Sequence, residues 1–331
     1  MKGSNLQSLI QLFFTDRLRK QLGVSPHTVA AYRDAFRLLL QFASERLSRA
    51  PSELRIEDLD AAFLGKFLDY LEEVRGNCTR TRNNRLAALH AFFQYVSISE
   101  PELALHCQRV QAIPSKRHQR CPVAFLTEEE SAAVVAAPHL DTWIGRRDRA
   151  LLLLAVQTGL RNTELTSLRR QDVEFGAGAH VRCFGKGRKM RCTPLRADVT
   201  TVLKEWLSRQ QAKPDDPVFP SSNGGRLSAD ALQRLVAKHV ATASKICPSL
   251  AAKKVTPHTL RHGAAMAMLR RGVDPCVIAL WLGHESTETT QIYLHADMQL
   301  KEKALAHAAP SGAVPVRFRP TDSLLAFLEG L

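Results

Sequence analysis

Six polar side chains occupy positions where a packed fold alone would not need them, and together they suit the transfer of a phosphoryl group. They come from four separate stretches and comprise Arg161, Lys186, His258, Arg261, His284 and Tyr293. Two guanidinium groups can clamp the non-bridging oxygens of a phosphodiester and stabilise its transition state. A phenol can serve as the covalent nucleophile, while an imidazole takes its proton and a lysine ammonium protonates the leaving 5′ oxygen. The set therefore predicts phosphoryl transfer without a metal ion.

Taken singly, each of these residues also has an ordinary structural explanation. Arg161 lies in TGLRNTEL, where an arginine just after a buried helix usually caps that helix or pairs with a carboxylate such as Glu164. Lys186 lies between two glycines in FGKGRK, as solubilising lysines at hairpin tips often do. Tyr293 has apolar neighbours, as a core phenol would. Only their combination on one basic chain favours chemistry.

The stretch TPHTLRHGAA predicts a helix whose first turns suit an anion. Thr256 is the expected N-cap and Pro257 the first helical residue. His258, Arg261 and His262 then share one face, near the positive end of the helix macrodipole. The histidine spacing also resembles half of a zinc site, but the glutamate of H-E-x-x-H and further ligands at matching spacing are absent, so no metal is expected.

The bulk composition points to a nucleic-acid partner. The 331 residues include 46 Lys and Arg against 32 Asp and Glu, which gives a net charge of +14. Such an excess favours a polyanion, although a basic protein can also be merely soluble. The seven scattered cysteines indicate reduced thiols. No apolar run approaches the roughly 18 residues that span a bilayer, and no signal peptide is evident, so we expect a cytoplasmic protein without a membrane partner.

Composition and periodicity divide the chain into four parts. We expect a helical domain at 1–112, a basic linker at 113–124, a mixed catalytic domain at 125–300 and a tail at 301–331 that ends in a short helix. Basic residues that could hold backbone phosphates, or equally form a solvated face, open the third N-terminal helix at Arg80, Arg82 and Arg85. Three more, Lys116, Arg117 and Arg120, lie in the linker, where they are expected to contact something negative.

The predicted elements that position the chemistry are helices and one hairpin. Helices are expected near 25–47, 55–74 and 78–96 in the first domain, and at 148–158 in the second, with a further helix capped by Thr127 and Glu130. The stretch AHVRCFGKGRKMRCTPL predicts a β-hairpin with a glycine-rich tip. The remaining predicted helices lie near 196–210, 228–244, 257–271, 274–282 and 287–295.

The sequence resembles the tyrosine recombinase, or phage integrase, family in its Xer-like bacterial branch. The motifs that carry the resemblance are TGLRNTELTSL, GKGRKMRCTPL, PHTLRHGAA and LGHESTETTQIYLH, in this order. The resemblance implies a mostly α fold with a small β-sheet: an N-terminal helical, SAM-like core-binding domain followed by an α+β catalytic domain. Gly263 departs from the family, in which a small hydroxyl residue is common at that position.

The resemblance also implies a role for each motif residue. Arg161 and Arg261 match the paired catalytic arginines, Lys186 the hairpin lysine that acts as general acid, and Tyr293 the nucleophile. His258 matches the candidate base, His284 the histidine that supports the scissile phosphate, and Glu164 an acidic residue that orients Arg161. Arg188, beside Lys186, joins the predicted DNA-binding residues.

The implied activity is site-specific recombination through a 3′-phosphotyrosyl intermediate, for integration, excision or resolution. The expected partner is double-stranded DNA of the nucleoid, bound by a homo-tetramer on synapsed sites, with a second recombinase as an open alternative and no cofactor. The long tail and abundant arginine favour a mobile element over a housekeeping protein. Two alternatives are a DNA-binding accessory protein that no longer cuts, although no catalytic position is missing, and a relaxing enzyme like the type IB topoisomerases.

Overall fold

The protein divides into two compact units, described here from a computed structural model. The structure describes residues 5–117, 124–176, 178–185, 190–211 and 213–283. The units comprise residues 1–120 and 121–331, so the division falls within the predicted linker. Among the described residues, no helix is both long enough and apolar enough to cross a membrane.

The first unit is entirely helical over the residues described. Its α-helices are α1 (Leu6–Leu12), α2 (Pro26–Leu47), α3 (Ala61–Glu73), α4 (Thr79–Ser99) and α5 (Ala104–Gln111), and a π-helix (Phe13–Gln21) continues α1. The predicted start of α2 is confirmed, because the Ser25 side chain accepts a hydrogen bond from the Thr28 N–H and Pro26 is the first helical residue.

The second predicted helix begins later than expected. Residues 55–74 were expected to form one helix, but a short 3₁₀ turn at Ile56–Asp58 precedes α3, which starts at Ala61. Asp58 accepts the Arg55 N–H and Asp60 accepts the Phe63 N–H, so each carboxylate satisfies a backbone donor that a continuous helix would have used. α1, the π-helix and α5 were not predicted.

Aromatic side chains hold the first unit together. Phe13, Phe36 and Phe92 meet edge to face or tilted, with ring centroids 5.1 to 6.2 Å apart, and each is almost fully buried. Rings in this arrangement contribute beyond the apolar area they bury. The cluster joins the π-helix, α2 and α4 into one core.

The second unit combines helices with a small sheet. Its helices are α6 (Glu128–Ala136), α7 (Trp143–Thr158), α8 (Asn162–Ser167), α9 (Ala197–Ser208), α10 (Ala229–Ala243), α11 (Pro257–Arg270) and α12 (Pro275–Leu282). The sheet is antiparallel, in the order β1 (Val173–Glu174), β2 (His180–Phe184) and β3 (Met190–Pro194). The predicted hairpin is confirmed; its tip, residues 186–189, lies outside the described residues.

Helix α7 forms the centre of the second core. Leu151, Leu152 and Leu154 are fully buried there, as the run LLLLAV predicted. The helix begins before the predicted residue 148, because Thr142 caps it by accepting the Gly145 N–H. The predicted capping box of α6 is also present, with Thr127 and Glu130 bonded reciprocally. The expected helix at 287–295 lies outside the described residues.

Candidate active site

The end of α7 is a close junction that only glycine fits. Gly159 adopts a left-handed φ of 64°, and a Cβ atom there would lie 2.6 Å from Leu282 Cδ2 and 3.2 Å from the Ala264 Cβ. The absence of a side chain lets α7, α11 and α12 approach one another at this point. Trp281 donates its indole N–H to the Thr158 carbonyl at 3.1 Å, which holds α12 against the same end of α7.

Arg161 lies just beyond this junction and is the N-cap residue of α8. Its Nη2 donates to the Gly283 carbonyl at 2.7 Å, and its Nη1 donates to Glu164 Oε1 at 3.1 Å. Its backbone N–H also donates to Glu164 Oε2, at 2.7 Å. The side chain keeps 28% of its surface exposed, so the guanidinium is fixed from one side and open to solvent on another.

Arg261 reaches the same place from α11. It is only 2% exposed, and it donates from Nη1 to the Gly159 carbonyl and from Nη2 to the Leu282 carbonyl, both at 2.7 Å. The carbonyls of Gly159, Leu282 and Gly283 lie at the ends of α7 and α12, and together we call them the carbonyl junction. Helix C-termini carry partial negative charge, which favours the approach of two guanidinium groups. The predicted arginine pair is thus brought together.

Two histidines flank the buried arginine on α11. The rings of His258 and His262 lie 4.6 Å apart in an edge-to-face arrangement, as their spacing predicted. The predicted cap is present, because Thr256 accepts the Thr259 N–H, and Pro257 is the first helical residue. His258 is exposed at this positive helix end, a position from which an imidazole can exchange protons with a bound anion.

One residue of the site was missed by the sequence reasoning. Arg191, on β3, donates to both oxygens of Glu164, from Nη1 to Oε1 at 2.8 Å and from Nη2 to Oε2 at 2.7 Å. Its side chain is 13% exposed. The available signal was strand alternation: Arg191 lies opposite Cys183, which is buried, and Thr193 on the same strand is buried as well.

Glu164 is a buried carboxylate held between two arginines. Burial opposes its ionisation, but the hydrogen bonds from Arg191 and from the Arg161 backbone, together with the two positive charges, hold the pKa of Glu164 below its usual range. The carboxylate therefore stays ionised. It contacts the Arg161 guanidinium directly.

Several predicted residues lie outside the described part of the chain. These are Arg120, Lys186, Arg188, His284 and Tyr293. One of them directly adjoins a described contact in sequence, because His284 follows Gly283, whose carbonyl accepts from Arg161. Lys186 lies between β2 and β3 in sequence.

The predicted DNA-binding residues of the first unit differ in their exposure. Arg80 and Arg117 are exposed, whereas Arg82 is 5% exposed and donates to the Pro114 carbonyl at 3.1 Å. Burial, and to a smaller extent the positive charge of nearby Arg75, lowers the pKa of Arg85. Lys116 forms an ion pair with Glu72.

Within the part of the chain that is described, no three His, Cys, Asp or Glu side chains converge as a metal site requires. The two guanidinium groups held at the carbonyl junction are of the kind that binds an anion.

Two protein families match this chain. The phage integrase family matches residues 124–300, and the N-terminal SAM-like domain of phage integrases matches residues 11–97. The two matches cover most of the second and first units respectively.

Curated relatives match along nearly the whole chain. The protein y4rC of Sinorhizobium fredii, whose name describes it as an integrase/recombinase, is 52% identical over 330 residues, which is 100% of this chain and 99% of the relative. The tyrosine recombinase XerC of Pelobacter propionicus is 32% identical over 305 residues, covering 91% of this chain and 95% of that protein.

A solved structure shares the fold. The XerH site-specific recombinase, bound to its palindromic difH substrate in a post-cleavage complex, matches with a TM-score of 0.69. The match covers 91% of this chain and 84% of that one at 24% identity. The likeness establishes the architecture: a helical unit followed by a unit with a small antiparallel sheet.

Proposed function

Because this chain belongs to the phage integrase family and is a site-specific tyrosine recombinase of the Xer-like branch, we propose that Tyr293 cleaves double-stranded DNA by forming a bond to a 3′ phosphate. The observation that carries this proposal is the convergence of Arg161 and Arg261 on the carbonyl junction. Both guanidinium groups are fixed where the chain continues into His284. A phosphodiester placed there would meet two fixed positive charges.

Cleavage proceeds by in-line displacement. The Tyr293 oxygen attacks phosphorus, the bond between phosphorus and the 5′ oxygen breaks, and the two arginines stabilise the charge on the non-bridging oxygens. His258 accepts the phenolic proton, Lys186 supplies a proton to the leaving 5′ oxygen, and His284 supports the phosphate. The energy of the broken bond is retained in the phosphotyrosine, so the reverse attack by a 5′ hydroxyl rejoins DNA without a nucleotide cofactor.

The remaining charge of the protein serves DNA binding. The net charge of +14 suits a duplex whose counterions are released on binding. We assign backbone contacts to Arg80, Arg85, Arg117 and to the basic residues of the linker and hairpin tip, and a lesser, positioning role to the buried Arg82. We assign DNA binding to the helical domain at 1–112 and to the linker at 113–124, and catalysis to the domain at 125–300.

Strand exchange requires more than one protomer. We propose a homo-tetramer on two synapsed sites, with the 301–331 tail as a contact between protomers, acting on nucleoid DNA in the cytoplasm. A second recombinase would replace two of the four protomers in the alternative arrangement.

A trapping experiment tests the proposal. The protein is incubated in EDTA with labelled duplexes from the flanks of its own gene, nicked so that the cleaved strand cannot be rejoined. We expect a protein–DNA band that survives SDS. Sequence-specific binding without such a band, even when a candidate partner recombinase is added, would instead indicate an accessory binding protein. If cleavage and rejoining did not depend on a second site, the topoisomerase-like alternative would hold.

A further inference from the structure

We propose that Arg191 is a positioning residue that keeps the Arg161 guanidinium available to the scissile phosphate by occupying both oxygens of Glu164. This inference rests on the proposed function of Arg161. Arg191 itself is not proposed to contact DNA. It acts through Glu164, from the strand that follows the hairpin tip.

The Arg191 side chain makes more and shorter hydrogen bonds to Glu164 than the Arg161 side chain does. Arg191 makes two side-chain hydrogen bonds to it, at 2.8 and 2.7 Å, in the parallel geometry that a guanidinium and a carboxylate favour. The Arg161 side chain makes one, at 3.1 Å. Glu164 is thus satisfied mainly by Arg191, and Arg161 is oriented by the carboxylate without being fully paired to it.

Burial explains why this division matters. The Glu164 side chain is 4% exposed, that of Arg191 13% and that of Arg161 28%. A buried carboxylate that loses one partner is strongly attracted to the positive charges that remain nearby. Without Arg191, Glu164 would pair with Arg161, and the guanidinium would turn inward from its exposed position. A phosphate would then meet a weaker and displaced clamp.

Arg191 also links the three segments that carry catalytic residues. Through Glu164 it is joined to α8 and Arg161, and along β3 it is close in sequence to Lys186. A Cβ atom on Gly283 would lie 2.8 Å from Arg191 Nη1, so the guanidinium packs directly against the residue that precedes His284. One side chain therefore sets the relative position of the helix, the hairpin and the end of α12.

The test uses four variants of the full-length protein: Arg191→Met, Arg191→Lys, Glu164→Gln and the double variant. The affinity for a nicked duplex is measured by gel shift, and the rate of covalent complex formation is measured at saturating protein. We expect Arg191→Met to bind DNA normally but to cleave about 100-fold more slowly, the loss that a displacement of about 1 Å in a clamp produces.

The double variant separates positioning from simple structural support. In Arg191→Met/Glu164→Gln no unpaired carboxylate remains to capture Arg161, so we expect cleavage to recover about tenfold relative to Arg191→Met. Arg191→Lys retains the charge but not the paired geometry, and should cleave at an intermediate rate. If Arg191→Met fails to fold, Arg191→Lys and its double variant with Glu164→Gln carry the same comparison.

A matched control lies on the neighbouring strand. Arg182 pairs with Glu174 at 3.2 Å on the exposed face of the same sheet, so Arg182→Met should leave the cleavage rate unchanged. Wild-type cleavage by Arg191→Met would overturn the proposal. So would an equal loss in the single and double variants, since that pattern marks structural damage. Failure of the wild-type protein itself to form a covalent complex would count against the proposed function and not against the role of Arg191.

Discussion

Arg161 and Arg261 donate hydrogen bonds to the carbonyl oxygens of adjacent residues, Gly283 and Leu282, at 2.7 Å each. Both arginines are therefore anchored to the last turn of α12, immediately before His284. This relationship joins the two arginines that we propose as phosphate ligands to the residues that precede His284 in sequence. A change that moves α12 should consequently disturb the whole clamp.

Removal of the Arg261 side chain should lower both the free energy of unfolding and the rate of DNA cleavage. Arg261→Ala leaves the Gly159 and Leu282 carbonyls without a donor, which costs about 1 to 3 kcal/mol for each buried acceptor. Urea denaturation measures this loss. Arg161→Ala should reduce the rate of cleavage as much as Arg261→Ala does. It should lower the free energy of unfolding less than Arg261→Ala does, because Arg161 is partly exposed. Equal stability losses would contradict the assignment of Arg261 as the buried anchor.

Gly159→Ala should destabilise the second unit through a steric clash. The φ of 64° costs about 1 to 2 kcal/mol for a non-glycine residue, and contact with Leu282 Cδ2 at 2.6 Å adds about 1 to 3 kcal/mol. Gly224→Ala is the matched control, because its φ is 83° and nothing lies within 4 Å of its added Cβ. We expect denaturation experiments to show a smaller loss for the control. Equal losses would mean that helix approach at Gly159 is unimportant.

Arg80 and Arg82 should separate DNA contact from structure. Arg80 is exposed, so Arg80→Ala should weaken DNA binding and reduce the slope of log affinity against log salt by about one. Arg82→Ala should leave that slope nearly unchanged. It should lower the free energy of unfolding by about 1 to 3 kcal/mol, because the buried guanidinium holds the Pro114 carbonyl. A reduced salt slope for Arg82→Ala, with a loss of stability for Arg80→Ala, would show that Arg82 contacts DNA and that Arg80 is structural.

Glu164 should give the protein an acid-sensitive contribution to stability. The folded-state pKa of Glu164 lies below its unfolded value, which is about 4.3. Its contribution is therefore fully present above about pH 4.3 and is lost as the pH falls through the lower, folded-state pKa. Glu164→Gln should be less stable than wild type at pH 7 and should show a flatter decline on acidification. Parallel stability curves for the two proteins would refute this contribution.

Local signals in the sequence predicted most of the helices that carry the site, with α8 as the exception. The caps at Ser25, Thr127 and Thr256 and the alternating hairpin strands all occur in the structure, because each depends on residues a few positions apart. Helix α8 was not predicted, since its six residues offer little periodicity.

The missing parts of the prediction depend on tertiary contacts. Strand alternation places Arg191 on the same face of β3 as the buried Thr193, but its pairing with Glu164 joins residues that are distant in sequence. Arg80 and Arg82 are two positions apart on one basic helix, and only the contact with Pro114 distinguishes the buried one. The anchoring of Arg161 and Arg261 to the end of α12 likewise joins segments that are distant in sequence.

The covalent link to Tyr293 is the central claim. The most direct measurement is to trap the protein on a nicked duplex, digest the complex and locate the attached nucleotide by mass spectrometry. We expect a phosphodiester on Tyr293 and no covalent complex from Tyr293→Phe, with Tyr95→Phe as the control that still forms it. A nucleotide on another residue, or a complex from Tyr293→Phe, would contradict it.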